Sequence, residues 1–135
     1  MSTNPYNTYL EATILSAEPI ELVRILYRTA IESVRDARAH LAAGDIGARS
    51  RAISKAVAIL IELSCCLKSD AEPRLARNLT ELYDYMQRRL LRANLDQADA
   101  PLAEVADLLE NLSEAWQKIE PAPAREQFEL ATAEF

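Results

Sequence analysis

An all-α protein is predicted, specifically an antiparallel up-down four-helix bundle preceded by a short N-terminal helical segment. Three observations carry that prediction. The chain has only two glycines, Gly44 and Gly47, in 135 residues, too few for the tight turns of a sheet-rich fold. Alanine, leucine, glutamate and arginine dominate, all strong helix formers. Apolar residues recur at steps of three and four along four long stretches, and the links between those stretches are short.

Residues 5–15 bring Pro5, Tyr6, Tyr9, Leu10, Ile14 and Leu15. A stretch this short is unstable alone and must pack on the body or stay mobile. The first long helix opens at Pro19, where a missing amide hydrogen costs nothing. Its stripe is Ile20, Val23, Tyr27, Ala30, Ile31, Val34 and Leu41, and Gly44 supplies a left-handed stop. Asp45 is placed to cap the second, with the stripe Ile53, Ala56, Val57, Leu60, Leu63 and Leu67. The third begins near Pro73, with Leu75, Leu79, Leu82, Met86, Leu90 and Ala93 as its stripe. Asn94–Ala100 then reads as a polar link. Asp99 and Pro101 open the fourth helix, striped by Leu102, Val105, Leu109, Leu112, Trp116 and Ile119, and Pro121 and Pro123 end it. The whole, 1–135, reads as a single helical-bundle domain. It comprises a mobile N-terminal segment (1–17), a four-helix body (18–120) and a tail (121–135) carrying Phe128, Leu130 and Phe135 among glutamates.

Composition excludes several classes of function. The net charge of −6 argues against general nucleic-acid binding or an anionic membrane surface. The longest apolar run, Ala56 to Leu63, already meets Glu62, so no membrane insertion is expected. The start, Met-Ser-Thr-Asn-Pro-Tyr, has neither a basic region nor an apolar signal core, which points to the cytoplasm. Cys65 and Cys66 are adjacent, do not face each other on a helix, and read as buried or half-buried reduced thiols. His40 is the only histidine, and the dipole at a helix end explains it. No glycine-rich phosphate loop, nucleophile elbow or zinc spacing occurs. No enzyme, cofactor or metal is expected.

Charge is uneven. Residues 72–95 hold five arginines against three acids, and residues 99–120 six acids against one lysine. Mutual attraction across solvated faces accounts for this, ahead of an arginine face for an acidic partner. Apolar residues also lie off the core stripes: Leu22, Ile25 and Leu26, then Ile59 and Ile61, then Leu91 and Leu95. A broad core explains about half of them. The rest suggest a long exposed groove for an amphipathic helix or an extended chain. Tyr83 and Tyr85 are two apart, so at most one shares the Leu82/Met86 core face. Leu22, Leu26, Ile61 and Leu91, with Tyr83 or Tyr85, are the candidate groove residues.

Several motifs, taken in order, resemble the flagellin-specific export chaperones (FliS). They are Asn4-Pro5-Tyr6-Asn7-Thr8-Tyr9, Pro19-Ile20-Glu21-Leu22 leading to Leu26-Tyr27, and Gly44-Asp45 before Ala52-Ile53-Ser54-Lys55-Ala56. Most specific is Asn78-Leu79-Thr80-Glu81-Leu82-Tyr83-Asp84-Tyr85-Met86, continuing through Arg89-Leu90 to Ala93-Asn94, and Ala115-Trp116 closes the set. The resemblance implies a cytoplasmic bundle that binds the disordered C-terminal segment of flagellin. It implies that the chaperone prevents premature polymerisation and delivers the subunit to the flagellar type III export gate. Tyr27 and Asn94 are further candidates for the groove. The resemblance assigns Tyr6, Tyr9 and Leu10 to a segment that lies over part of the binding surface and docks at the gate. The loop before the third helix departs from the family by lacking glycine. The rival reading is a helical adaptor or self-associating regulatory bundle with another client. An exposed groove can pair with itself, which makes a homodimer an expectation for the client-free protein.

Overall fold

The computed structural model describes residues 19–67 and 73–118. Four helices account for almost all of them: α1 (Pro19–Ala43), α2 (Ile46–Cys65), α3 (Pro73–Asp96) and α4 (Ala100–Gln117). No strand occurs among the described residues. The predicted N-terminal segment, the link 68–72, Ile119 and the 121–135 tail lie outside them.

Local signals set the helix ends much as the sequence suggests. Gly44 takes φ +73°, and the Asp45 amide reaches back to the His40 carbonyl at 3.0 Å, satisfying an end-of-helix acceptor. The Asp45 carboxylate then accepts from the Ala48 amide at 3.1 Å and caps α2. One expectation needs correction. Asn94 and Leu95 belong to α3, which runs to Asp96. The turn is made instead by Gln97 at φ +53°, with the Ala98 amide bonded to the Ala93 carbonyl at 3.1 Å. Asp99 and Pro101 do open α4, as expected, with Asp99 just before the helix and Pro101 in its first turn; the Asp99 side chain makes no capping bond. Arg38 of α1 holds that carboxylate through two bonds of 2.8 and 2.9 Å.

Each helix packs on two neighbours, in the closed cycle α1–α2–α3–α4–α1. Antiparallel pairing follows from who meets whom. The start of α1 meets the end of α4 through Arg24 and Trp116, and its end meets the start of α4 through Arg38 and Asp99. The start of α2 meets the end of α3 through Arg49 and Asn94. An up-down-up-down bundle results.

One core runs down the axis. Val34, Ile53, Leu60, Leu63, Met86, Leu90, Leu102, Val105 and Leu109 are essentially inaccessible, and Leu22, Leu82, Leu112 and Trp116 pack against the rim of that core. The apolar stripes are what the bundle buries, at ~1.5–3 kcal/mol for each large side chain removed from water. Leu75 is the exception: expected in the stripe, it is 49% exposed in the first turn of α3.

A polar pair sits inside this core. Tyr27 of α1 and Tyr83 of α3 are buried, and their hydroxyls lie 2.5 Å apart. The Tyr27 ring also lies 6.4 Å from the Trp116 ring, tilted by 35°. Desolvation pushes both phenols up from their ordinary range, so each stays neutral and each hydroxyl has a partner.

Candidate client-binding surface

The side chains proposed from sequence fall into three groups. Leu26, Tyr27 and Tyr83 are buried and are removed from the surface. They continue the α1 and α3 stripes, and one-dimensional periodicity does not separate a wide core face from an exposed flank. Leu22 is half-buried against the same core. Ile61, Tyr85 and Leu91 are exposed. Of the two neighbouring tyrosines, Tyr83 takes the interior and Tyr85 the surface. Tyr6, Tyr9 and Leu10 lie outside the described residues.

The exposed residues sit on different sides of α3. Tyr85 belongs to the α3–α4 side, where its hydroxyl donates to Glu104 at 2.9 Å. Arg89 donates to the same carboxylate at 2.7 Å. Arg89 and Tyr85 together hold the Glu104 carboxyl below its ordinary range. The α1–α4 side is laced by Arg35–Glu110 and Arg38–Asp99 pairs and by Arg24, which donates to the Trp116 carbonyl at the end of α4. The acidic excess of α4 is thus met from both flanking helices.

The α2–α3 side differs. An open depression of ≈ 440 Å³ lies between the helices, lined by Ile61, Ser64 and Cys65 of α2 and Thr80, Asp84 and Gln87 of α3. Two of its hydroxyls are turned back on their own helices: Ser64 donates to the Leu60 carbonyl at 3.1 Å and Thr80 to the Ala76 carbonyl at 2.8 Å. These groups are satisfied internally and ask nothing of a ligand. Ile61, 48% exposed, projects at the depression. Asp84 and Leu91 are seven residues apart, two helical turns, and share a face of α3. Leu91 and Leu95, 57% and 73% exposed, continue the apolar line.

A polar bracket bounds the groove towards the end of α3. The Arg49 Nε donates to the Asn94 Oδ1 at 2.9 Å, and the Ser50 hydroxyl donates to the same oxygen at 3.3 Å. A second guanidinium nitrogen reaches the Asn94 backbone carbonyl at 3.4 Å. Arg49 is 4% exposed, yet its charge rests against the negative end of the α3 dipole. Asn94 is therefore engaged in holding α2 to α3. Sequence reasoning overlooked Arg49, because an arginine in the first turn of a helix reads as solvated. The signal available was its place four residues before Ile53 on the core stripe.

Cys65 and Cys66 are both free and exposed at the end of α2, contrary to the expected burial. Met86 is fully buried and Trp116 half-buried at the core rim, as expected. Among the described residues, no group of three or more histidine, cysteine, aspartate or glutamate side chains is placed to hold a metal. No described helix is long and apolar enough to cross a membrane.

Residues 2–123 match the family described as Flagellar protein FliS. The Salmonella typhimurium protein named flagellar secretion chaperone FliS is 41% identical over 113 residues, covering 83% of this chain and 84% of that protein. Flagellar secretion chaperone FliSB of Pseudomonas aeruginosa is 33% identical over 82% of this chain and 87% of its own length. Flagellar secretion chaperone FliS of Bacillus subtilis is 31% identical over 85% of each. With a match that spans nearly the whole bundle and relatives that share its length, the chain belongs to the flagellar protein FliS family.

Proposed function

We propose that this protein is a cytoplasmic flagellar export chaperone that binds the C-terminal segment of flagellin, prevents its premature polymerisation and delivers it to the export apparatus. The observation that carries this reading is the α2–α3 groove. Its apolar line Ile61–Leu91–Leu95 lies open to solvent, while the α1–α4 and α3–α4 sides are laced by ion pairs. A disordered client loses conformational entropy on binding and needs many modest contacts over a long surface. Ile61 and Leu91 are about half exposed, so covering each stabilises the complex by ~1 kcal/mol, half of full burial. Delivery at the export gate is assigned, on the family resemblance, to Tyr6, Tyr9 and Leu10.

Titration calorimetry with a flagellin C-terminal peptide tests the groove. Ile61→Glu with Leu91→Glu should weaken binding at least tenfold, because two contacts are lost and two charges are desolvated, while the far-UV spectrum stays unchanged. Binding of normal strength by the folded double variant refutes the assignment.

A further inference from the structure

The family match stops at residue 123, and the chain continues through a segment, Ala124-Arg125-Glu126-Gln127-Phe128-Glu129-Leu130-Ala131-Thr132-Ala133-Glu134-Phe135, that no family feature accounts for. Ala124, Phe128, Ala131 and Phe135 recur at steps of four, three and four, the spacing of one helical face. Glu126, Glu129 and Glu134 fall off that face. Such a segment has an apolar edge that its own length cannot bury.

We propose that residues 124–135 fold back onto the α2–α3 groove of their own chain, with Phe128 in the depression beside Ile61 and Phe135 against Leu91. The spacing of the two rings matches that from the depression to Leu91. Phe128 and Phe135 are seven residues apart, as are Asp84 in the depression wall and Leu91, about 10.5 Å along a helix in each case. Helices α2 and α3 together carry eight arginines and lysines against four carboxylates and residues 119–135 four glutamates and one arginine, an attraction between whole elements to which the depression, with Asp84 as its charged lining residue, does not add. The chain has the reach. The last described residue, Lys118, follows α4 at the same end of the bundle as Cys65 and Thr80, where the depression opens. The ten residues from there to Phe128 extend up to ~33 Å, and neighbouring helix axes lie ~8–10 Å apart.

The tail is thereby an internal competitor for the client's groove, an inference that rests on the proposed client-binding reading. A groove occupied by its own tail in ~70–90% of molecules weakens apparent client affinity by roughly 3–10-fold.

The test uses the full-length, isotope-labelled protein and its Phe128→Ser/Phe135→Ser variant. Docking predicts that the signals of Ile61, Cys65, Thr80, Gln87 and Leu91 shift in the variant at every protein concentration, and that iodoacetamide alkylates Cys65 faster. Unchanged signals and unchanged Cys65 reactivity overturn the proposal. So do differences that disappear on dilution, which place the tail on a second copy. So do shifts at these residues caused by Tyr6→Ser/Tyr9→Ser and not by the tail variant, which make the N-terminal segment the occupant. The variant should then bind a flagellin C-terminal peptide roughly 3–10-fold more tightly. Shifted signals with unaltered peptide affinity support docking of the tail and sink the assignment of flagellin to this groove.

Discussion

Replacing Tyr83 by phenylalanine removes one oxygen from the middle of the core and leaves the ring in place. The Tyr27 and Tyr83 rings are 0% and 1% exposed and their hydroxyls are 2.5 Å apart, so water does not readily supply the missing partner. A buried hydroxyl that loses its bond costs ~1–3 kcal/mol, against ~1 kcal/mol for an average bond lost at a wet site. With a urea slope of ~1–3 kcal/mol per molar, the unfolding midpoint of Tyr83→Phe should fall by about 1 M. Tyr27→Phe/Tyr83→Phe removes both polar groups at once and should cost less than the sum of the single changes. The coupling should be ~0.5–3 kcal/mol. pH supplies an independent check. Burial raises both phenols above their ordinary value of 10.0, so the folded state retains protons that the unfolded state releases. The contribution is complete below that value and is lost as pH rises beyond it. Wild-type stability should therefore fall more steeply above pH 10.0 than that of the double phenylalanine variant. Strictly additive single changes, with identical alkaline slopes, would show that the two hydroxyls act independently.

Other perturbations follow from single contacts. Gly44→Ala should cost ~1–2 kcal/mol by thermal unfolding: a Cβ there meets no atom within 4 Å, so only the backbone at φ +73° opposes it. Arg49→Ala should destabilise by ~1–3 kcal/mol and Arg51→Ala, on the exposed face, by under ~0.5 kcal/mol, because only Arg49 is buried and bonded to Asn94. Equal urea midpoints for the two variants would remove the bracket from the account. Asp99→Asn should cost under ~1 kcal/mol, less in 1 M salt than in low salt, since both members of the Arg38–Asp99 pair are over 40% exposed. The Arg38 guanidinium holds the Asp99 carboxyl below its ordinary 3.8, so this contribution is present above that pH and lost as pH falls below it.

The helices and their turns were legible because their signals are local. Pro19, Gly44, Asp45, Pro73 and Pro101 act on the backbone within a residue or two of themselves. The interior of the bundle was less legible, because register between helices is not written in any one of them. The Tyr27 and Tyr83 hydroxyls are partners across 56 residues of chain. Either tyrosine alone looks equally suited to a core edge or to a half-wet surface. Asn94 looked like the start of a link because asparagine is a poor helix former. Its bond to Arg49 lets α3 run on to Asp96. Ile61 and Leu91 were identified as exposed because they depart from the stripe. That Ile61 lies beside Thr80, Asp84 and Gln87 needed the antiparallel offset of α2 and α3.

The two ends of the bundle are built unequally. At one, Gly44-Asp45 and Gln97–Asp99 close the chain in two or three residues, and Arg38 and Arg49 staple the helices there in two pairs, α1 to α4 and α2 to α3. Every other stretch of chain, 1–18, 68–72 and 119–135, joins at the opposite pole. Hydrogen exchange should therefore show a gradient along each helix. Amides near the sealed pole should open only with global unfolding, and those near the other should open in smaller steps. The described bundle begins at Pro19 and ends at Lys118, both on this second pole, so bulky probes placed at those two residues crowd each other and leave the sealed pole free. For immobilisation or a distance probe, the inter-helix turns at Gly44 and Ala98 are the attachment points at the pole opposite Pro19 and Lys118.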